Sequence, residues 1–457
     1  MGNVGRPPAI GVLHEELAGT SADKAVCAFD VPCGLWRREG YAEYLVLGEE
    51  RVRRFDHTAI SCLTADEIVP EAFWARYDTI GLRGGRLTLT LRGDVTPHRY
   101  RKISVPAEAA NWTIGDGDSS PEEIWSVLWA YFAENYAFFG ERGIDWGATR
   151  ERVLAQLSPG MSDDALFQLL QATLAPLEDA HVKLFAGERQ YHAFKPAFTA
   201  GREELSRVLG YDKRDWRGEG IARLSALIGE ALQDGGHSSP NKLVCWGLVD
   251  PATGYLAVHS MWGHGGPESD AAADVEVIEP LLDQAFADLP GIERLVLDLR
   301  FNGGGQDAVA LAIGSRLVSG HQLAFSKRAV DGSGYGEETR LYFNRGAKPG
   351  FDGPLVVLTS ALTASASENL IIGFESRPRK MVIGEATAGA LSDVLWKMLP
   401  NGWCVGVSNE IFRSPSGFLY EGPGVRLDRE VPTFPLSGDA RRLVEPIRAA
   451  AVLGAHL

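Results

Sequence analysis

A chain of 457 residues with 45% hydrophobic content can bury a sizeable core and divide into two or three domains. Its net charge of −15 argues against nucleic acid or an anionic membrane surface as a standing partner, since both demand clustered Lys and Arg. No run of eighteen apolar residues occurs, so no membrane-spanning helix is expected.

The N-terminal stretch MGNVGRPPAIGVLHEELAG lacks a charged segment followed by an apolar one, so no signal peptide is expected and a cytoplasmic location is favoured over export. From residue 34 to about 105, segments such as GLWRREGYAEYLVLGEERVRRFDH and RLTLTLRGD alternate apolar and polar residues. That period of two predicts a small all-β domain over residues 1–110, barrel-like or a sandwich. The polar stretch NWTIGDGDSSPEE (111–123) reads as a linker, and EEIWSVLWAYFAENYAFF and DDALFQLLQATLAPLED then carry helical spacing. Residues 111–200 are accordingly a linker and helical subdomain, its aromatic stripe read as core packing.

After residue 200, strand-like and helix-like blocks alternate: KLVCWGLV, GYLAVHSM, VEVIEPLLDQAFADL, RLVLDLR, AVALAIGSRLV, PLVVLTS, SENLIIGFES and MVIGEAT. This rhythm predicts an α/β unit with largely parallel strands over 201–457, closed by an amphipathic helix in DARRLVEPIRAAAVL. Five cysteines (Cys27, Cys33, Cys62, Cys245, Cys404) form no CxxC pair, so structural zinc is not expected. Buried free thiols are the simpler reading, with a bridge among Cys27, Cys33 and Cys62 the alternative if the protein is exported.

Two segments can carry chemistry. In RLVLDLRFNGGGQDAVALAIG (294–314) a buried strand runs into Gly303, Gly304 and Gly305 before a helix. Glycines there can aim bare N–H groups at an anion, either a phosphate or the oxyanion of a tetrahedral intermediate. No GK[ST] follows, which excludes a P-loop. In LTASASENL (362–370), Ser365 and Glu368 fit a capping box, but Ser365 is equally placed to be a nucleophile at a helix start. The N–H of Ala366 and one from the glycine turn, most plausibly Gly305, would then receive the oxyanion. A nucleophile needs a base, and the candidates among ten histidines are His181 in PLEDAHVKLF and its rivals His259 and His264. No acidic third ligand at standard spacing makes the latter two a metal site. An orienting carboxylate could come from Glu421, Glu385 or Asp179, and spacing does not choose among them.

Four segments in order, LEDAHVKL (177–184), LVLDLRFNGGG (295–305), TASASENL with VIGEATAG (363–389) and LYEGPGVRLD (419–428), resemble one family of serine peptidases. It includes carboxy-terminal processing proteases, the tricorn core protease and the repeats of interphotoreceptor retinoid-binding protein. The resemblance covers roughly residues 125–435 and implies a crotonase/ClpP-like core. By it, His181 is the general base, Ser365 the nucleophile, and Gly305 and Ala366 the oxyanion amides, with Gly304 beside them. Processing proteases use a lysine after the T-x-G stretch, where Ala390 stands here, so the resemblance is to the tricorn-like branch with Glu421 as its acid. That branch has a serine directly before the histidine. Ala180 stands here, which leaves the role to Ser367 or a water, or the assisting hydrogen bond absent, with Asp179 as further support. Leu427 replaces a usual proline, and no binding-loop signature of a PDZ domain lies between His181 and Asp298.

These readings together predict a serine hydrolase, most simply a peptidase, acting on a peptide or small acyl substrate with no cofactor and no metal. A homo-oligomer is left open. The alternatives are an apolar-ligand binding protein on the same fold, a small-molecule esterase or amidase, and a crotonase relative handling acyl-CoA, for which no basic patch speaks.

Overall fold

Apolar–polar alternation in the first hundred residues builds an antiparallel sheet in the computed structural model, which describes residues 26–106, 112, 119–434 and 438–457. The stretch read for targeting signals and most of the 111–123 linker lie outside the described residues. Seven strands run in the order Cys62–Ile68, Val52–His57, Glu43–Leu47, Gly34–Arg38, His98–Lys102, Arg86–Leu91, Tyr77–Arg83. Trp36, Leu45, Leu47, Leu87 and Tyr100 pack with Phe73 and Trp74 of the short helix Pro70–Trp74. Leu35, Tyr44, Val46 and Phe55 form a second cluster with Cys62 and Trp112. In Gly34–Arg38 and Glu43–Leu47 neighbouring residues thus belong to different clusters, as the pleat requires.

The helical segment starts at Pro121–Asn135, where Ser120 and Glu123 complete a capping box. Trp125, Tyr131, Phe132, Phe138 and Trp146 are buried together, so the aromatic stripe is core. The same cluster includes Leu184, Val405 and Val407 from an antiparallel sheet ordered Arg189–His192, Lys183–Ala186, Cys404–Ser408, Val394–Met398.

The C-terminal half is organised by a seven-stranded mixed sheet in the order His237–Ser238, Val244–Asp250, Thr253–Val258, Arg294–Asp298, Leu355–Thr359, Lys380–Gly384, Arg429–Glu430. From Thr253–Val258 onward the pairings are parallel. Leu295, Leu297, Leu355 and Val357 join the helices Ala271–Ala287, Asp307–Arg316 and Ala366–Gly373 in one cluster. Val296, Val356 and Leu358 join Pro196–Leu209, Ile221–Ala231 and Glu445–Gly454 in another. Burial on both faces explains the near-continuous apolar runs of these strands.

Sequence periodicity did not mark the hairpin of His321–Asp331 with Thr339–Asn344, nor Glu410–Arg413, which pairs with the 321–331 strand. One cysteine expectation is corrected. Cys33 is disulfide-bonded, whereas Cys62, Cys245 and Cys404 are free thiols.

Candidate active site

The parallel strands Arg294–Asp298 and Leu355–Thr359 are neighbours, so the loops after their C-terminal ends meet. Below the glycine turn lies a buried polar scaffold. Arg300 pairs with Asp298 (2.6 Å) and donates to the Leu443 carbonyl (2.6 Å), and Tyr255 donates to Asp298 (2.8 Å). Asn302 donates to the Val258 carbonyl (2.9 Å), while its Oδ1 accepts the Gly304 N–H (2.9 Å) and the Ser367 hydroxyl (2.8 Å). Met261 N–H donates to the Gly304 carbonyl and Gln306 N–H to the Met261 carbonyl, pinning the turn on either side of Gly305. Gly304 and Gly305 take φ of 95° and 141°, open to glycine and costly for other residues. Gly305 is exposed, and its N–H has no acceptor among the described residues.

Ser365 stands at the N-cap position of helix Ala366–Gly373, with Glu368 three residues on. Its φ of 58° and ψ of −129° are not the extended conformation of an ordinary N-cap. Such strain in a non-glycine residue persists only where surrounding contacts over-determine it. Here they do. Ser365 N–H donates to the Ala390 carbonyl (2.8 Å) and to Glu368 Oε2 (3.1 Å). The buried Glu368 carboxylate also accepts Thr387 Oγ1 (2.5 Å), Gly389 N–H (2.8 Å) and Ala390 N–H (2.9 Å). Burial raises its pKa while these donors oppose the rise. Ser365 is the one residue of 362–370 that is not buried, and the Ala366 N–H at the first turn has no acceptor among the described residues. A built Cβ on Gly304 would lie 2.5 Å from Ser365 Cβ, so only glycine lets the turn approach the serine.

His181 precedes the strand Lys183–Ala186, and its carbonyl oxygen lies against Gly406, where a built Cβ would come within 2.9 Å of it and 2.8 Å of Val394. Its backbone N–H donates to Asp179 Oδ1 (2.9 Å), and Asp179 also accepts the Tyr136 hydroxyl (3.0 Å). Asp179 therefore fixes the main chain of His181. The buried Nδ1 of His181 has no partner among the described residues. Burial lowers the imidazole pKa to about 4, with Asp179 and Asp393 acting the other way and Lys183 and Arg142 reinforcing the fall.

Glu421 Oε1 accepts from Arg142 (2.9 Å), and its Oε2 accepts the N–H groups of Leu391 (2.8 Å) and Ser392 (3.1 Å). Arg142 also lies 3.8 Å from Asp179. Burial and the second carboxylate push Glu421 up to about 8, against Arg142 and the amides. Glu421 thus clamps the loop leading from Ala390 into Val394–Met398 and is joined through Arg142 to the segment holding His181.

The other sequence candidates are committed elsewhere. His259 contacts Cys245 Sγ (3.8 Å), His264 Nε2 contacts the Ser260 carbonyl (3.0 Å), and Glu385 accepts the Thr433 N–H (2.7 Å). The Ser367 hydroxyl is taken by Asn302 and the Ala364 carbonyl, so it does not fit the assisting role beside His181. Among the described residues no group of three His, Cys, Asp or Glu side chains is placed to hold a metal.

Ser365 and Gly305 open into one cavity of about 120 Å³, which Asp307, Lys327, Asn369 and Asp393 also line. The N-terminal sheet and its loops also line it, through Arg38, Tyr41, Asp94, Thr96 and His98. His181 does not line it, but Asp393 does, and Asp393 is among the charges that act on the imidazole. Sequence reasoning missed Arg142, Asn302 and Asp393. Asn302 alone had a local signal, its place directly before the three glycines.

Residues 252–431 match the model of Peptidase family S41. The chain is 24% identical over 364 residues to the carboxyl-terminal-processing protease of Picosynechococcus sp. (strain ATCC 27264 / PCC 7002 / PR-6), covering 69% of this chain and 84% of that one. It is 32% identical over 166 residues to the chloroplastic C-terminal processing peptidase of Tetradesmus obliquus, covering 35% and 34%. A crystal structure from Parabacteroides merdae ATCC 43184 superposes with a TM-score of 0.58 at 22% identity, covering 74% of this chain and 97% of that one. Mature CPAF superposes at 0.51 and 12%, covering 73% and 96%. These two structures speak for the fold alone.

Proposed function

We propose that this chain, which carries a Peptidase family S41 domain at residues 252–431 and is a serine-type peptidase, cleaves peptide bonds with Ser365 as nucleophile and His181 as base. The observation that carries the assignment of Ser365 is its conformation. A half-buried serine is held at φ 58° by two hydrogen bonds from its N–H, to the Ala390 carbonyl and the Glu368 carboxylate, facing a cavity that it shares with the free N–H of Gly305. A serine that only capped its helix would need neither the strain nor the cavity.

In this reading Ser365 Oγ bonds to the substrate carbonyl carbon while its proton passes to His181. The oxygen becomes an oxyanion received by the N–H groups of Gly305 and Ala366 at the helix start. The C–N bond then breaks, His181 returns the proton to the leaving amine, and water repeats the sequence on the acyl-enzyme. No hydrogen bond joins His181 to Ser365 here, and bonds of this kind often tighten only around substrate. Glu421 and Arg142 act as positioning residues that hold the 390–393 loop and the His181 segment in register. We also read the parallel core as crotonase/ClpP-like and the N-terminal sheet as barrel-like.

The test is hydrolysis of an unstructured protein such as casein and of a mixed peptide library. The wild type should cleave, and Ser365→Ala should lose at least about 10³-fold in rate. A Ser365→Ala variant that cleaves at the wild-type rate would overturn the assignment.

A further inference from the structure

We propose that the cavity beside Ser365 is a subsite for a cationic side chain, lysine or arginine, on the residue whose carbonyl Ser365 attacks. The proposal rests on Ser365 being the nucleophile and adds a substrate class to it. Because Ser365 and Gly305 border the cavity, the side chain next to the attacked carbonyl is the one that enters. At about 120 Å³ it is well below the roughly 300–1,000 Å³ of sites for drug-sized ligands, and suits a single side chain.

Its lining carries four carboxylates, Asp94, Asp307, Asp393 and Glu410, against two cations, Arg38 and Lys327. Lys327 is answered inside the cavity, and Arg38 faces Glu43 with its buried Nε unpartnered among the described residues. Lys327 Nζ lies 3.2 Å from Glu410 and 3.3 Å from Asp307, one charge between two carboxylates. The Arg38 guanidinium covers the Tyr41 ring at 3.8 Å and lies 3.7 Å from Glu43, outside the cavity. Asp393 is different. It is exposed, forms no ion pair among the described residues, and its carboxylate accepts one hydrogen bond, from the N–H of Val394 (2.7 Å), which leaves most of its acceptor capacity free.

A second observation independently calls for a donor. Asn369, 1% exposed, lines the same cavity and turns its Nδ2 to Asp307 (3.2 Å) and the Leu391 carbonyl (3.4 Å). Its buried Oδ1 is left without a partner among the described residues. A buried acceptor of this kind is costly unless something donates to it. An ammonium or guanidinium has several donors and no acceptor, the chemistry that a carboxylate and an amide oxygen lining one cavity call for.

The test uses two peptidyl diphenyl phosphonates, identical except that the side chain next to phosphorus is lysine in one and norleucine in the other. The lysine probe should label the wild type about tenfold faster, an advantage that shrinks at raised salt. Asp393→Asn should bring the ratio of the two rates toward one, and Asp393→Lys should reverse it. Equal labelling of the wild type, or a lysine preference unchanged in both variants, would overturn the subsite while leaving the nucleophile intact. Labelling by neither probe would overturn the nucleophile, and the subsite with it.

Discussion

Two adjacent glycines separate a turn that merely tolerates glycine from one that requires it. At Gly303 a built Cβ meets nothing within 4 Å. At Gly304 it would lie 2.5 Å from Ser365 Cβ, 2.8 Å from the Ala364 carbonyl oxygen and 3.1 Å from the Ala366 nitrogen. Carbon atoms pack best at about 3.5–4.0 Å, so Gly304→Ala must push the serine or the turn aside by roughly 1 Å. The φ of 95° adds strain of about 1–3 kcal/mol for any residue with a Cβ. A displacement of that size at a reacting group costs about 10²-fold in rate. Gly304→Ala should therefore lower unfolding free energy by about 1–3 kcal/mol and slow serine labelling by a fluorophosphonate at least about 100-fold. Gly303→Ala should leave labelling within about threefold of wild type, since it adds no contact. Urea unfolding and time-resolved labelling of both variants give the two readouts. Wild-type labelling in Gly304→Ala would refute the geometry argued for the turn against Ser365.

Other consequences follow from the same network. Glu368→Ala removes the acceptor of four buried donors and should cost about 3–5 kcal/mol in denaturant unfolding, and a loss under about 1 kcal/mol would contradict its role as the anchor of the 387–390 loop. With His181 lowered to about 4, labelling should stay flat from neutral pH down to about pH 5 and fall through pH 4 as the base takes up a proton. A midpoint near 6.5 would contradict a buried base. Glu421 is raised to about 8, so the folded chain keeps a proton that the unfolded chain loses above about 4.5. The stability this lends is complete below the unfolded pKa and is lost as pH rises through about 8. The difference in unfolding free energy between Glu421→Gln and wild type should then move in the variant's favour from pH 5 to pH 8, and a constant difference would show that Glu421 is ionised throughout.

Much of this was legible locally. Period-two alternation gave the N-terminal strands, unbroken apolar runs gave the parallel strands buried on both faces, and the triple glycine before a helix marked the turn facing Ser365. What escaped depends on partners distant in sequence. Lys397 lies buried in the strand Val394–Met398 because Asp56 of the N-terminal sheet meets it at 2.7 Å. Lys327 is buried in His321–Asp331 by Glu410 and Asp307. A charged residue in a strand interior breaks the apolar pattern, and no local signal reveals a carboxylate 341 positions away. The same holds for Arg142, whose partner Glu421 is 279 residues distant, and for Asp393, significant only once the fold has closed the cavity. Ser365 could be read both as a helix cap and as a nucleophile because Glu368 serves both: it accepts the Ser365 N–H as a cap partner would, and it fastens the loop that holds the serine in strain.

The central claim is that Ser365 is an activated nucleophile whose base is His181. Fluorophosphonate labelling followed by peptide mapping of the modified residue tests it most directly. The account predicts a single adduct on Ser365 in the wild type, lost in Ser365→Ala and slowed at least about 10³-fold in His181→Ala. An adduct on another serine, or undiminished labelling of Ser365 in His181→Ala, would contradict it.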